Sequence, residues 1–180
     1  MKKMIKVVAA TGIAFSSLFA TGMTFNNDAH AQDTQSVTPW YEYNGNAGNN
    51  AGFLVDQDFV RAVKYNNVTL NGYKLNLGAY NVEETSSKFD SKYDQQFLFF
   101  DKDKRPDGTT IVLDEGQLTK KDVFKAYGTN YEFTPAYHTP DGDAYKVNGT
   151  YTYNLNGNNV SFRITNGNVE VVGLGSTAWV

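Results

Sequence analysis

Toward the C-terminus, from residue 144 onward, the hydrophobic positions recur at every second residue. Tyr151, Tyr153 and Leu155 share one side; after a turn at 156–159, Val160, Phe162 and Ile164 alternate with Ser161, Arg163 and Thr165. A period of two sends successive side chains to opposite faces of a sheet, so it predicts half-buried strands. Asn166-Gly167, ahead of a further strand at 169–174, is a hairpin dipeptide because both positions of a two-residue loop need positive φ. This end of the chain reads as an antiparallel meander with one polar face.

Upstream the period changes. Asp56 can cap a helix running to about Tyr65, with Val55 and Val60 placed as a hydrophobic staple and Phe59, Val60 and Val63 as its apolar stripe. Val68-Thr69-Leu70, Asn71-Gly72 and Tyr73-Lys74-Leu75 read as strand, tight turn and strand. A strand at 95–101 around Phe97, Leu98, Phe99 and Phe100 is turned by Arg105-Pro106-Asp107-Gly108 into another at 109–114. Thr119 then supplies an N-cap, with Asp122 at the third helical position and Leu118 paired with Val123. Val123, Phe124 and Tyr127 form the apolar face of this second helix, and Gly128 stops it. The pattern predicts an α+β fold with short helices packed on one face of an antiparallel sheet, arranged as two successive helix-then-strands units.

The N-terminus carries a different signal. Lys2, Lys3 and Lys6 precede an apolar run at 7–23, and Ala29-His30-Ala31 follows as an A-x-A site. Residues 1–31 therefore read as a secretory signal peptide, 32–37 as a disordered mature N-terminus and 38–180 as one domain. The sequence has no Cys, hence no disulfide and no lipid-anchoring thiol, and the expected product is secreted, at most loosely associated with the cell surface. Cleavage removes three Lys and Asp28 from sixteen basic and nineteen acidic residues. Thirteen basic against eighteen acidic residues remain, a net charge of −5. Such a chain exerts no long-range attraction on phosphate, so any nucleic-acid binding has to come from a local patch.

Chemistry-bearing motifs are sparse. His30 leaves with the signal, so His138 is the single mature histidine, set in a Thr-His-Thr-Pro loop without a nucleophile-elbow motif. Glu83-Glu84 and the Asp141/Asp143 pair read as solvated loop acids. In the run 101–108, Arg105 and Pro106 occupy the places where a calcium loop needs an oxygen ligand and a glycine. The sequence accordingly predicts no enzyme, no metal and no cofactor. The binding candidates are aromatic and basic. Trp40, Tyr41 and Tyr43 alternate imperfectly on the first strand, before an Asn/Gly-rich turn into the Asp56-capped helix, so at least one ring is expected to face outward and stack. Lys102, Lys104 and Arg105 share a loop tip, and Lys121 and Lys125 lie one turn apart on the second helix, where they could meet phosphates.

The opening Thr38-Pro39-Trp40-Tyr41, Tyr43-Asn44-Gly45, Gly48-Asn49-Asn50-Ala51, Val63-Lys64-Tyr65-Asn66-Asn67-Val68 and Asn71-Gly72-Tyr73-Lys74-Leu75 closely resemble the immunodominant staphylococcal antigen B family. Tyr93-Asp94-Gln95 and the stretch 118–128 look like later parts of the same pattern. The resemblance implies a secreted, partly surface-associated bacterial antigen that binds extracellular nucleic acid without catalysis. Its partner would be extracellular DNA or RNA. The alternative partner is a host or cell-envelope protein held through the sheet face.

Overall fold

The computed structural model describes residues 38–78, 87–100, 105–136 and 147–176. Among them are two helices and ten strands in two sheets, a mixed α+β architecture in which sheet dominates. The larger sheet has seven strands: β4 (Ser87–Lys92), β5 (Gln95–Phe100), β6 (Gly108–Val112), β7 (Glu132–Pro135), β8 (Gly149–Leu155), β9 (Asn158–Thr165) and β10 (Asn168–Gly175). Their spatial order is β4-β5-β6-β10-β9-β8-β7, with every neighbouring pair antiparallel. The meander forms as its alternation predicts. Asn156-Gly157 and Asn166-Gly167 have φ of 58° and 87°, and of 50° and 81°, the left-handed pairs that a two-residue hairpin loop requires. Val160, Phe162 and Ile164 are fully buried and alternate with exposed Asn159, half-buried Ser161 and exposed Arg163.

The smaller sheet joins β1 (Tyr41–Tyr43), β2 (Val68–Leu70) and β3 (Tyr73–Lys74). β1 runs parallel to β2, and the crossover between them is a 3-10 turn (Ala51–Val55) followed by helix α1 (Gln57–Lys64). Asp56 caps α1 by accepting from the Asp58 amide, and Phe59, Val60, Ala62 and Val63 are its buried face. Helix α2 (Lys120–Tyr127) opens with a full capping box between Thr119 and Asp122 and ends at Gly128 with φ 83°. The Phe124 ring meets Tyr151 at 5.7 Å, and the Tyr127 ring meets Tyr153 and Phe162 at 5.2 and 5.0 Å. On α1, the Val63 carbonyl accepts from the buried Asn158 side chain at 2.9 Å.

Two expectations need correction. The order is the expected one, α1 followed by β2–β6 and α2 by β7–β10, but the two runs are not separate units, because β6 pairs with β10 over Thr109–Leu174 and Ile111–Val172. Nor is all the sheet antiparallel: the strand before α1 and the strand after it are joined by a helical crossover, which permits parallel pairing where a tight turn cannot. The edge strands β4 and β7 are additional. Their sequences, Ser-Lys-Phe-Asp-Ser-Lys and Glu-Phe-Thr-Pro, lack the apolar alternation that marks a half-buried strand.

The two sheets meet at the Asn/Gly-rich loop after β1. Asp94, in the β4–β5 turn, accepts from the Ala47 amide at 2.9 Å and the Gly48 amide at 2.6 Å. Asn71, in the β2–β3 turn, is buried and pairs its side chain with both backbone groups of Gly45, at 2.7 and 3.1 Å. The buried Gln95 side chain adds a bond to the Gly45 carbonyl at 3.0 Å, and the Asp114 amide donates to the Gly48 carbonyl at 2.9 Å. A Cβ at Gly48 would lie 2.5 Å from the Val112 carbonyl oxygen, so only glycine lets the loop lie this close to β6. Asp94→Ala is expected to cost about 1–2 kcal/mol, because two charge-assisted bonds are lost from a partly solvated site. Urea denaturation measures it, and a loss below about 0.3 kcal/mol would show that the loop is held by other contacts.

Candidate nucleic-acid interface

The aromatic residues at the start of the fold are not a stacking platform. Tyr41 and Tyr43 are two apart on β1, so both point to the same side, and both are buried while Glu42 between them is not. Tyr43 lies flat on Phe53 with centroids 3.9 Å apart, and its hydroxyl donates to the Asn46 carbonyl at 2.5 Å. Tyr41 meets Phe59 edge-on at 5.4 Å. Burial pushes its phenol up to about 12, with the Asp56 and Asp58 charges adding to the shift. Imperfect alternation at residues 40–43 therefore exposes neither tyrosine; Trp40, ahead of the strand, is half-buried.

The basic candidates fall in separate places. Lys102 and Lys104 lie outside the described residues, as do His138, Glu83, Glu84, Asp141 and Asp143. Arg105 is exposed, close enough to Lys74 that its charge helps hold that ammonium below its usual value, after the larger effect of burial. Lys121 and Lys125 are both exposed, one turn apart on α2. Their neighbour Lys120 is turned inward, donating to the Tyr151 hydroxyl at 2.6 Å and lying over that ring at 4.6 Å. The rings of α2 rest against β8, three strands away from β6, where Arg105 leads in. At about 4.8 Å per strand this is roughly 15 Å, so the helix lysines and Arg105 form separate patches.

A different grouping arises at the β4 edge. Lys88, Asp90 and Lys92 pair with Phe99, Phe97 and Gln95 of β5, so these side chains share the inner face with Tyr73. Tyr73 packs on Phe97 and Phe99 at 4.7 and 5.7 Å, and its hydroxyl donates to Asp90 at 2.5 Å. Lys92 donates to the Asn71 carbonyl at 2.6 Å and lies 5.6 Å over the Tyr73 ring. Phe89 belongs to the opposite face and Tyr93 to the turn, where it adopts φ 58°. Both are well exposed, at 45% and 55%. Two cations and two open rings thus alternate along one strand edge. The signal in the sequence was the doublet Lys88-Phe89 and Lys92-Tyr93, spaced by four, which a helical or half-buried-strand template does not pick out.

One depression among the described residues suits phosphate poorly. It is shallow, about 280 Å³ between Leu113, Thr165 and Val169, and carries Glu115 and Glu170 on its rim and no cation. Among the described residues no group of acids or histidines is placed to hold a metal ion, and no helix is long and apolar enough to cross a membrane.

The family model for immunodominant staphylococcal antigen B matches residues 40–174, which takes in both sheets and both helices. This chain belongs to that family. Immunodominant staphylococcal antigen B of Staphylococcus aureus strains USA300 and COL is 33% identical to it over 129 residues, 71% of this chain and 70% of the relative. No solved structure matches it significantly. In this member of the antigen family, the Asp90 carboxylate of β4 is in contact with Tyr73. The phenol donates to Asp90 and holds its carboxyl below the usual value, while the same contact raises the phenol.

A depressed folded-state value means that the bond contributes stability above the unfolded carboxyl pKa and loses it as pH falls through the folded one. Tyr73→Phe is accordingly expected to move the Asp90 titration upward, toward that of an ordinary carboxylate. Carboxyl-carbon NMR titration reads this directly, and an unchanged midpoint would remove Tyr73 as the cause.

Proposed function

We propose that this antigen is an exported, non-enzymatic binding protein that takes single-stranded extracellular nucleic acid along the β4 edge. The observation that carries the reading is the exposure of Phe89 and Tyr93 beside Lys88 and Lys92. Single-strand binders combine open rings, on which any base can stack, with cations that follow the backbone. Arg105 and Lys74 lie close together and supply further positive charge, and Lys102 and Lys104 precede Arg105 in the sequence. The ligand reading draws on the family resemblance as well as on this grouping. Export rests on the leader-like residues 1–31, and the non-enzymatic reading on a chain without Cys and with His138 as the one histidine beyond that leader.

The acidic total makes the binding weak and strongly dependent on salt, since the attraction is confined to a patch within a Debye length of about 10 Å at moderate ionic strength. Each phosphate contact on a single strand contributes about −0.7 to the slope of log affinity against log salt. Fluorescence anisotropy with a labelled oligonucleotide is expected to show a slope near −2, becoming shallower by about 1.4 when Lys88 and Lys92 are both replaced by Ala. Tyr93→Ala should weaken binding by about 1–3 kcal/mol with little change in slope. No binding at low salt, or a slope indifferent to the lysines, would overturn the reading and leave a host or envelope protein as the ligand class to pursue.

A further inference from the structure

β4 is the outermost strand of the seven-stranded sheet, and among the described residues no strand pairs with its free side. Its register fixes which backbone groups that side presents. Lys92 and Gln95 close the two-residue turn of the β4–β5 hairpin, so they form a hydrogen-bonded pair, and such pairs then alternate along the ladder. Lys92, Asp90 and Lys88 thus direct their amides and carbonyls toward β5, whereas Ser91, Phe89 and Ser87 direct theirs outward, the Ser91 amide donating to the Asp90 carboxylate at 2.9 Å, a bond that pairing would exchange. The bonds on β5 agree: Leu98 and Phe100, opposite Phe89 and Ser87, turn their carbonyl and amide to Asp107 on the other side.

The two edges of the sheet differ. β7 is four residues long and ends in Pro135, which has no amide to donate. β4 is six residues long without a proline, and its side chains are mostly exposed. Lysines on an edge strand usually deter pairing with another chain. Here Asp90 stands between Lys88 and Lys92, and the alternation of sign makes the strand complementary to itself.

We propose that β4 is a homodimer edge, on which a second copy of this chain pairs antiparallel about a two-fold axis at Phe89. In that register Phe89 of each copy exchanges backbone bonds with Phe89 of the other, and Ser87 does so with Ser91. These are the residues whose backbone groups point outward. Lys88 then faces the other copy's Asp90, and Asp90 its Lys88, in the non-hydrogen-bonded positions where opposed side chains come closest. The two Phe89 rings meet on the opposite face and cover the exposed apolar area of the strand. Neighbouring registers are worse. Centring on Asp90 opposes Asp90 to itself and Lys88 to Lys92, and centring on Ser91 runs the strands into the turn at Tyr93, where the backbone has left the extended region. The pairing joins the two seven-stranded sheets into one.

The pairing would cover Phe89 and engage Lys88 on the edge proposed above for nucleic acid, so the two occupants compete there; the dimer is tested without nucleic acid. Sedimentation velocity of the purified protein over a range of concentrations should show a monomer–dimer equilibrium. Lys88→Asp places two acids opposite two acids, and Asp90→Lys two lysines opposite two lysines, so each variant alone should raise the dimer dissociation constant about tenfold or more. Mixed together, the two variants should form a heterodimer, since the paired carboxylates of one strand then face the paired ammonium groups of the other. Recovery on mixing also shows that neither variant is merely misfolded. A protein that stays monomeric at every concentration, or a dimer that Lys88→Asp leaves unchanged, would overturn the proposal.

Discussion

The carboxylate of Asp94 holds together two pieces of sheet that share no strand. It accepts from two successive amides, those of Ala47 and Gly48, and thereby ties the loop following β1 to the turn between β4 and β5. Asn71 ties the same loop to the β2–β3 turn through Gly45 and Tyr43. A loop rich in Asn and Gly has little apolar surface to bury and much backbone freedom to lose. Its order therefore depends on polar bonds to groups that are themselves fixed by tight turns. With the loop fixed, β1 lies parallel to β2, Tyr41 and Tyr43 close over Phe53 and Phe59, and the buried side chains of both sheets form one continuous core.

Those connections separate what the sequence discloses from what it conceals. Features set by a few neighbouring residues are legible in it: the Thr119–Asp122 capping box, the Asp56 cap, the turns at Asn71-Gly72 and Asn166-Gly167, and the turn read at 156–159, which the fold shortens to Asn156-Gly157. So is the alternation of β9, because one face of that strand is buried along its whole length. The aromatic start of the fold is legible as a strand but misleading as a surface. Tyr is as much at home in a core as outside it when its hydroxyl finds a carbonyl, as that of Tyr43 does at Asn46. Long-range relations are not legible. Asp94 reads as an ordinary turn acid until the loop forty-six residues upstream is seen against it. β4 reads as a polar connector because an edge strand with exposed side chains shows no hydrophobic period.

The same strand shows how an acidic chain can turn its cations to solvent. Asp90 is occupied by Tyr73, Asp94 by the loop amides, and Asp107 by the Asn76 side chain and the Phe100 amide. The acids of this region are thus engaged by the fold, while Lys88 and Arg105 extend into solvent. Membership in the immunodominant staphylococcal antigen B family places the chain among proteins named for their recognition as antigens. The physical features available for binding collect around one hairpin, whose turn is also the anchor of the smaller sheet.

Amide hydrogen exchange under native conditions tests that anchoring most directly. If Asp94 makes the smaller sheet and the larger one a single cooperative structure, the Ala47 and Gly48 amides exchange only with global unfolding, with the same free energy as the amides of Phe162 and Ile164 in β9. Exchange of Ala47 and Gly48 through a low-energy local opening, while β9 stays protected, would contradict the account.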